Sequence, residues 1–483
     1  MLFNSLDFAV FLPIVFAVYW LLNRRSLRVQ NAFLVLASYV FYGWWDWRFL
    51  SLILISTVVD YAVGIGLGGQ EDKSKRKALL WVSVVVNLGL LGFFKYYNFF
   101  LQNFIDAFTL LGLPFEARSL SIVLPIGISF YTFQTMSYSI DVYRRRLAPT
   151  RDFIAFAGYV SFFPQLVAGP IERATNLLPQ FYERRTFNSE SATDGMRQIL
   201  WGLFKKIVIA DNCAIYVDIA FSNSADYSGS SLAMGIVFFA FQIYADFAGY
   251  SDIGIGTARL FGFKLKQNFA YPYFSRDVAE FWRRWHISLT SWMTDYLFVP
   301  LTRGKRGVTP KVKAYLLMFG LSGLWHGANW TFVTWGIINA LYFIPLLVFK
   351  QAKYKYRIVA KGKLLPSLEE AGRMLMTFVL VNLAGIFFRA DSIGHAVGYL
   401  GRIFTMSLFT LPDSPGRQNA LITACLIVFF IVVEWLGREN QYAIEKIGLQ
   451  WSTGLRWSFY AFIVFLIGMY MPTDQTPFIY FQF

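Results

Sequence analysis

The chain has 483 residues, 56% of them hydrophobic and 15% charged, where soluble proteins carry roughly 25% charged residues, so a water-soluble fold of this size is excluded for want of polar surface. Its formal charge of +15, from 44 basic and 29 acidic residues, is gathered in short stretches between apolar runs, which is the distribution of cytoplasmic loops and excludes nucleic acid as its explanation. The two cysteines, Cys213 and Cys425, lie far apart without ligand spacing, so neither a disulfide framework nor a metal site is expected.

From the N-terminus, no basic region precedes the first apolar run and no small-residue cleavage site follows it, so residues 8–22 read as a retained span and not a signal peptide. Further spans are expected at 31–45, 49–68, 79–101, 121–142 and 152–169. Later ones lie near 231–250, 314–346 (a pair), 374–388, 397–411, 420–436 and 456–471. Several are shorter than the roughly 20 residues that cross hydrocarbon, so tilted or re-entrant segments are expected among about ten to twelve crossings. Arg24, Arg25 and Arg28, then Lys73, Lys75, Arg76 and Lys77, then Arg144–Arg146 alternate with these spans as cytoplasmic loops, placing the N-terminus outside. Another basic cluster holds Lys350, Lys353, Lys355, Arg357, Lys361 and Lys363.

Two polar stretches interrupt this order. Residues 171–200 are charged and loop-like, with Glu172, Arg173, Glu183, Arg184 and Arg185. In 275–313, Trp282, Trp285, Leu289 and Trp292 recur at helical spacing while Arg283, His286 and Thr290 form another stripe, which predicts an amphipathic helix at an interface or dipping into a cavity. Without repeats or low-complexity segments, the chain reads as one all-α integral-membrane domain, 1–483.

Histidine occurs only three times. His326 stands within an apolar helical pair, where an ionisable group is costly and faces a cavity or a partner. On a continuous helix Ser322 and Asn329 would share its face, able to fix the imidazole tautomer or stabilise an oxyanion. Gly323 and Gly327 would admit a close-packed backbone or an extended ligand. The plain alternative is a core histidine bonded to a carbonyl. His286 sits among Trp and Arg, and reads either as an interfacial anchor or as a functional group. Arg283 and Arg284, with Trp325, are candidates for contacting an acyl donor, the guanidinium groups through phosphates. His395 looks structural. Asp252 reads as a helix brace, and Asp246 and Asn268 as polar groups of a cavity. A buried histidine without a cysteine or metal centre beside it suits general-base activation of a hydroxyl for acyl transfer.

The chain resembles the membrane-bound O-acyltransferases, and within them the bacterial alginate O-acetyltransferase-like branch. The resemblance rests on Phe94–Phe99, Leu124–Phe133, Phe163–Ile171, Gln242–Gly256, Asn268-Phe269, Tyr271–Ser275, Phe281–Ser288 and Leu324–Asn329. It implies that His326 is the catalytic histidine and His286 a second functional one. It also implies a helical fold around a central tunnel, no tightly bound cofactor, acetyl-CoA as cytoplasmic acyl donor, and a multi-pass place in the bacterial inner membrane among its lipids. The acceptor implied is a cell-surface polysaccharide or a secreted or periplasmic SGNH-type acetyltransferase. The chain departs from the family pattern at Trp292–Tyr296 and Pro300–Gly304, and has Asn339 where relatives often carry histidine. D-Alanyl transfer to teichoic acid from a carrier protein is the alternative within the family, and a polysaccharide or lipid transporter the alternative outside it.

Overall fold

The structure, a computed structural model, describes residues 1–113, 117–167, 169–349, 358–413, 417–472 and 478. Lys350, Lys353, Lys355 and Arg357 of the basic cluster, and Ala168 of the Phe163–Ile171 segment, lie outside the described residues. Every regular element among the described residues is helical. Among the described residues, seven helical runs are long and apolar enough to cross a membrane: Leu6–Arg24, Leu27–Gly69, Lys73–Leu110, Gly229–Leu260, Trp330–Val348, Leu368–Arg389 and Gln418–Gly437. The chain is a multi-pass, all-α membrane protein. Leu27–Gly69 is itself a pair of helices, Leu27–Asp46 and Leu50–Gly69, so it accounts for two of the expected spans. The span expected at 397–411 is not one. That region holds an 11-residue helix, Ile393–Ile403, about 16 Å long at 1.5 Å per residue and too short for a crossing.

The described chain packs as two compact units, Met1–Gly195 with Thr257–Lys266, and Met196–Gly256 with Gln267–Phe483. In the first, the helix Ile128–Tyr143 is buried nearly all round although it carries Ser129, Thr132, Gln134, Thr135, Ser137, Ser139 and Asp141. Its polar groups are met by partners. Buried Asp60 accepts from Ser139 Oγ at 2.6 Å, Asn87 Nδ2 at 2.6 Å and Ser83 Oγ. Asn87 Oδ1 accepts from Ser56 at 2.8 Å and Thr135 at 3.1 Å. Gln165 Nε2 donates to Gln134 Oε1 at 2.9 Å. Between membrane helices such bonds supply cohesion that lipid-like side chains alone do not.

A long helix that hydropathy does not announce leads into the second unit. Ser189–Leu203 runs through a π-helical stretch, Phe204–Ala210, into Asp211–Ser222, so the helix starts inside the 171–200 stretch expected to be loop. Lys205, Lys206 and Asp211 break the apolar run in sequence, yet both lysines are buried. This helix crosses Gly229–Leu260 where Gly202 meets Gly249, each with the space of its missing Cβ filled by the other's carbonyl. Asp246 and Asp252 flank Gly249 three residues to either side. Lys206 accordingly pairs with Asp246 and Asp211, both at 2.8 Å, on one side of the crossing. On the other side Lys205 pairs with Asp252 and Glu434, both at 3.0 Å. Gln198 and Tyr244 donate to Asp252 and Glu434 at 2.8 and 2.6 Å. The bracing expected of Asp252 is the role it has.

Removing one partner of a buried ion pair strands the other charge, at about 3–5 kcal/mol. Lys206→Met is therefore expected to lower the thermal unfolding midpoint of the detergent-solubilised protein markedly. Lys73→Met, at an exposed helix start, should stay within about 0.5 kcal/mol.

Candidate active site

The second unit positions His326 by ending a helix at it. Thr309–His326 and Trp330–Val348 form an antiparallel pair joined by Gly327–Asn329. Gly323 and Gly336 bring the two helices together: a Cβ on Gly323 would strike Phe332 O, and one on Gly336 would strike Phe319 O. The close approach is thus between the helices themselves. His326 is 3% exposed, its ring walled by Trp325 at 5.0 Å, Trp335 at 5.3 Å and Phe388 at 5.3 Å between centroids. The ring stands at the C-terminal end of its helix, the negative pole of the macrodipole.

Because the helix stops at His326, Asn329 is not on its helical face, contrary to the sequence expectation. Asn329 instead caps the next helix, its Oδ1 accepting from Thr331 N at 3.1 Å, while its Nδ2 donates to Asp391 O at 3.1 Å. Ser322 does lie one turn before His326 and is buried.

His286 also departs from expectation. The predicted amphipathic helix is broken into Val278–Arg284 and Ile287–Met293, with His286 between them in the left-handed region at φ 42°, ψ 55°. A non-glycine residue holds that conformation only where its surroundings enforce it. Asn268 does so: its carbonyl accepts from Ile287 N at 2.8 Å, and its Oδ1 accepts from Ser288 N at 3.3 Å, Ser288 Oγ at 2.9 Å and His286 Nδ1 at 3.1 Å. The backbone donor from Ser288 identifies the Asn268 atom as oxygen. His286 Nδ1 must then carry the hydrogen, which leaves the lone pair on Nε2. Asn268 Nδ2 donates in turn to Ser251 Oγ at 3.1 Å.

The two imidazoles come together, with ring centroids 6.5 Å apart. Trp325 stands beside both, at 5.0 Å from His326 and 6.1 Å from His286. Other candidates are not part of this grouping. Arg284 is engaged by Glu280 Oε1 at 2.8 Å and Ala270 O at 3.1 Å, a structural tie. Asp246 belongs to the Lys206 ion pair, although its neighbour Phe247 packs on His286 at 4.7 Å. Arg283 is half-buried, with Nε and Nη2 lacking hydrogen-bond partners among the described residues. Asn339 is buried and donates to Trp335 O at 2.8 Å.

A cavity of about 40 Å³ opens beside His326, lined by Trp282, Trp285, Trp335, Asn382 and Phe388 among others, with room for a few waters. Trp282 Nε1 is buried at its wall without a hydrogen-bond partner among the described residues. Sequence reasoning missed Trp335, Phe388 and Asn382, which reach the site from other helices. Trp282 lay in a stripe that reads as an interfacial anchor. Among the described residues no group of three or more His, Cys, Asp or Glu side chains has the arrangement to hold a metal ion.

The membrane-bound O-acyltransferase (MBOAT) family model matches residues 40–378. The chain belongs to this family. It is 38% identical to the probable alginate O-acetylase AlgI of Azotobacter vinelandii, covering 92% of this chain and 86% of that one. It is 34% identical to the Pseudomonas putida protein of the same name over the whole of both chains. With the peptidoglycan O-acetyltransferase of Helicobacter pylori it shares 33% identity, over 83% of this chain and 79% of the other. The chain is an O-acyltransferase of the polytopic membrane type, and the paired histidines lie in the part of the sequence that the family model spans.

Asn268→Ala would remove the acceptor shared by His286 Nδ1, Ser288 N and Ser288 Oγ. Loss of the partner of a buried polar group costs about 1–3 kcal/mol, or about 10- to 100-fold in rate where it disturbs the reacting geometry. Turnover of purified protein is expected to fall by that factor, with the helical signal in circular dichroism unchanged.

Proposed function

We propose that the protein transfers an acetyl group from cytoplasmic acetyl-CoA to a hydroxyl on the far side of the bacterial inner membrane, with His326 as general base. The observation that carries this reading is a buried imidazole at a helix C-terminus, beside a cavity and 6.5 Å from a second buried imidazole. His326 takes the proton of the acceptor hydroxyl as that oxygen bonds to the thioester carbonyl carbon; the carbon–sulfur bond then breaks and the sulfur leaves as a thiol with the proton His326 took. His286, presenting Nε2, holds or relays that proton. The oxyanion support expected of Asn329 passes to Trp282, whose unpartnered indole N–H lines the cavity.

Orientation follows from charge. Arg303, Lys305, Arg306, Lys311 and Lys313 stand at the start of the Thr309–His326 helix, and the 350–363 cluster follows Val348. Both ends are cytoplasmic under the positive-inside rule, so the Gly327–Asn329 turn faces outward. Arg283, with guanidinium nitrogens unpartnered among the described residues, supports the reading of it as a contact for donor phosphates. The acceptor class is a cell-surface polysaccharide, or the hydroxyl of an SGNH-type partner acetyltransferase. The relatives' functions, acetylation of alginate and of peptidoglycan, favour acetyl over D-alanyl transfer and over a transport role.

With labelled acetyl-CoA and purified protein in nanodiscs, His326→Ala is expected to lose at least about 100-fold in acetyl transfer; near-wild-type turnover would overturn the assignment. A labelled D-alanyl carrier protein offered in parallel should give no transfer. Trp282→Phe keeps the ring and removes the donor, and is expected to lower kcat about 100-fold with KM little changed.

A further inference from the structure

His395, which the reading above leaves unused, stands within a second constellation of the same unit. Its Nε2 lies 3.3 Å from Ser224 Oγ, and its Nδ1 lies 3.7 Å from Asp391 Oδ2. Nucleophile, base and orienting carboxylate are therefore in sequence, at the somewhat long spacing usual in a site without substrate. The supports are specific. Ser224 follows the helix Asp211–Ser222 in a turn and is partly exposed. His395 occupies the first turn of Ile393–Ile403, where its N–H donates to the Ser392 cap at 3.1 Å. The ring is held between Phe221, edge-on at 6.2 Å, and Tyr399 at 6.4 Å. Asp391 Oδ2 faces Nδ1 at ion-pair distance, where its charge stabilises the imidazolium formed when Nε2 takes the serine proton.

The constellation is also tied to the histidine chamber. Asp391 O is the acceptor of Asn329 Nδ2, and Asn329 is three residues from His326. Phe388, three residues before Asp391, packs on the His326 ring at 5.3 Å. Leu368–Arg389 starts beside the basic cluster at 350–363 and ends at these residues, so the group lies on the outward face.

We propose that Ser224, His395 and Asp391 form a second acyl-transfer site, which takes the acyl group of a short-chain ester or thioester at the outer face and passes it to a hydroxyl. It rests on the His326 reading only for the source of that acyl group. In the first step the Ser224 Oγ proton moves to His395 Nε2 and Oγ bonds to the carbonyl carbon. The carbonyl's bond to its oxygen or sulfur leaving group breaks, and the leaving group takes the proton from Nε2. In the second step the acceptor hydroxyl gives its proton to Nε2 and its oxygen bonds to the carbonyl carbon. Ser224 Oγ then leaves and regains the proton. Ser224 and His395 are the catalytic residues, and Asp391 is a positioning residue.

The test uses the full chain in nanodiscs, with a fluorophosphonate as serine probe and p-nitrophenyl acetate as acyl donor, and the adduct located by peptide mass spectrometry. Phosphonylation and acetylation of Ser224 are expected, both absent in Ser224→Ala and slowed at least about 100-fold in His395→Gln. Asp391→Asn should slow inactivation at saturating probe without changing the probe concentration for half-saturation, which a merely structural role would not do. His326→Ala should label at the wild-type rate, so this site and the His326 reading stand or fall separately. Ser224 left unlabelled, or labelled equally well in His395→Gln, overturns the proposal.

Discussion

A charge inside a membrane protein must be paired or it will not stay inside, and the second unit is arranged around that constraint. Two adjacent lysines project from a π-helical stretch to opposite sides of one helix crossing. The crossing is close because glycines 202 and 249 meet there, and the aspartates that receive the lysines flank Gly249 symmetrically. Neither the tight crossing nor the buried charge is tolerable alone. The small residues bring the backbones near enough for the lysines to reach, and the ion pairs make it possible to bury the lysines at all. The polar helix Ile128–Tyr143 follows the same rule with neutral partners, meeting Asp60 and Asn87 with hydroxyls and amides instead of cations.

The histidines are held by the same logic on a smaller scale. Asn268 satisfies two backbone N–H groups through its carbonyl and its side chain, and so fixes a left-handed residue between two short helices. That conformation carries the His286 ring away from the amphipathic stripe to which its sequence spacing assigns it, and towards His326. The one asparagine thus sets backbone path, ring orientation and tautomer together, which is why a polar residue there is more than cavity lining.

Asn329 shows how one short turn connects two chemistries. Its side chain starts a helix with one atom and holds the Asp391 carbonyl with the other. His326 and His395 are in this way both tied to the turn of a single helical pair.

Much of this was legible in the sequence. Composition and apolar runs required an all-α membrane protein, because a chain so poor in charge has no other solvent. The scarcity of histidine directed attention to His326 and His286, and spacing alone placed Ser322 beside the former. Helical periodicity failed where the chain stopped being a helix. Gly327 and Asn329 form a terminus and a cap, so the face assigned to Asn329 did not exist, and the left-handed turn at His286 ended the stripe through Trp282 and Trp292. Hydropathy failed at Ser189–Ser222, since a lysine lowers it equally whether exposed or ion-paired. What tertiary structure alone decided was partnership: which aspartate meets which lysine, which indole reaches the cavity, and which serine lies against His395. These contacts join residues far apart in the chain, and no local pattern of size, charge or spacing encodes the distance between them.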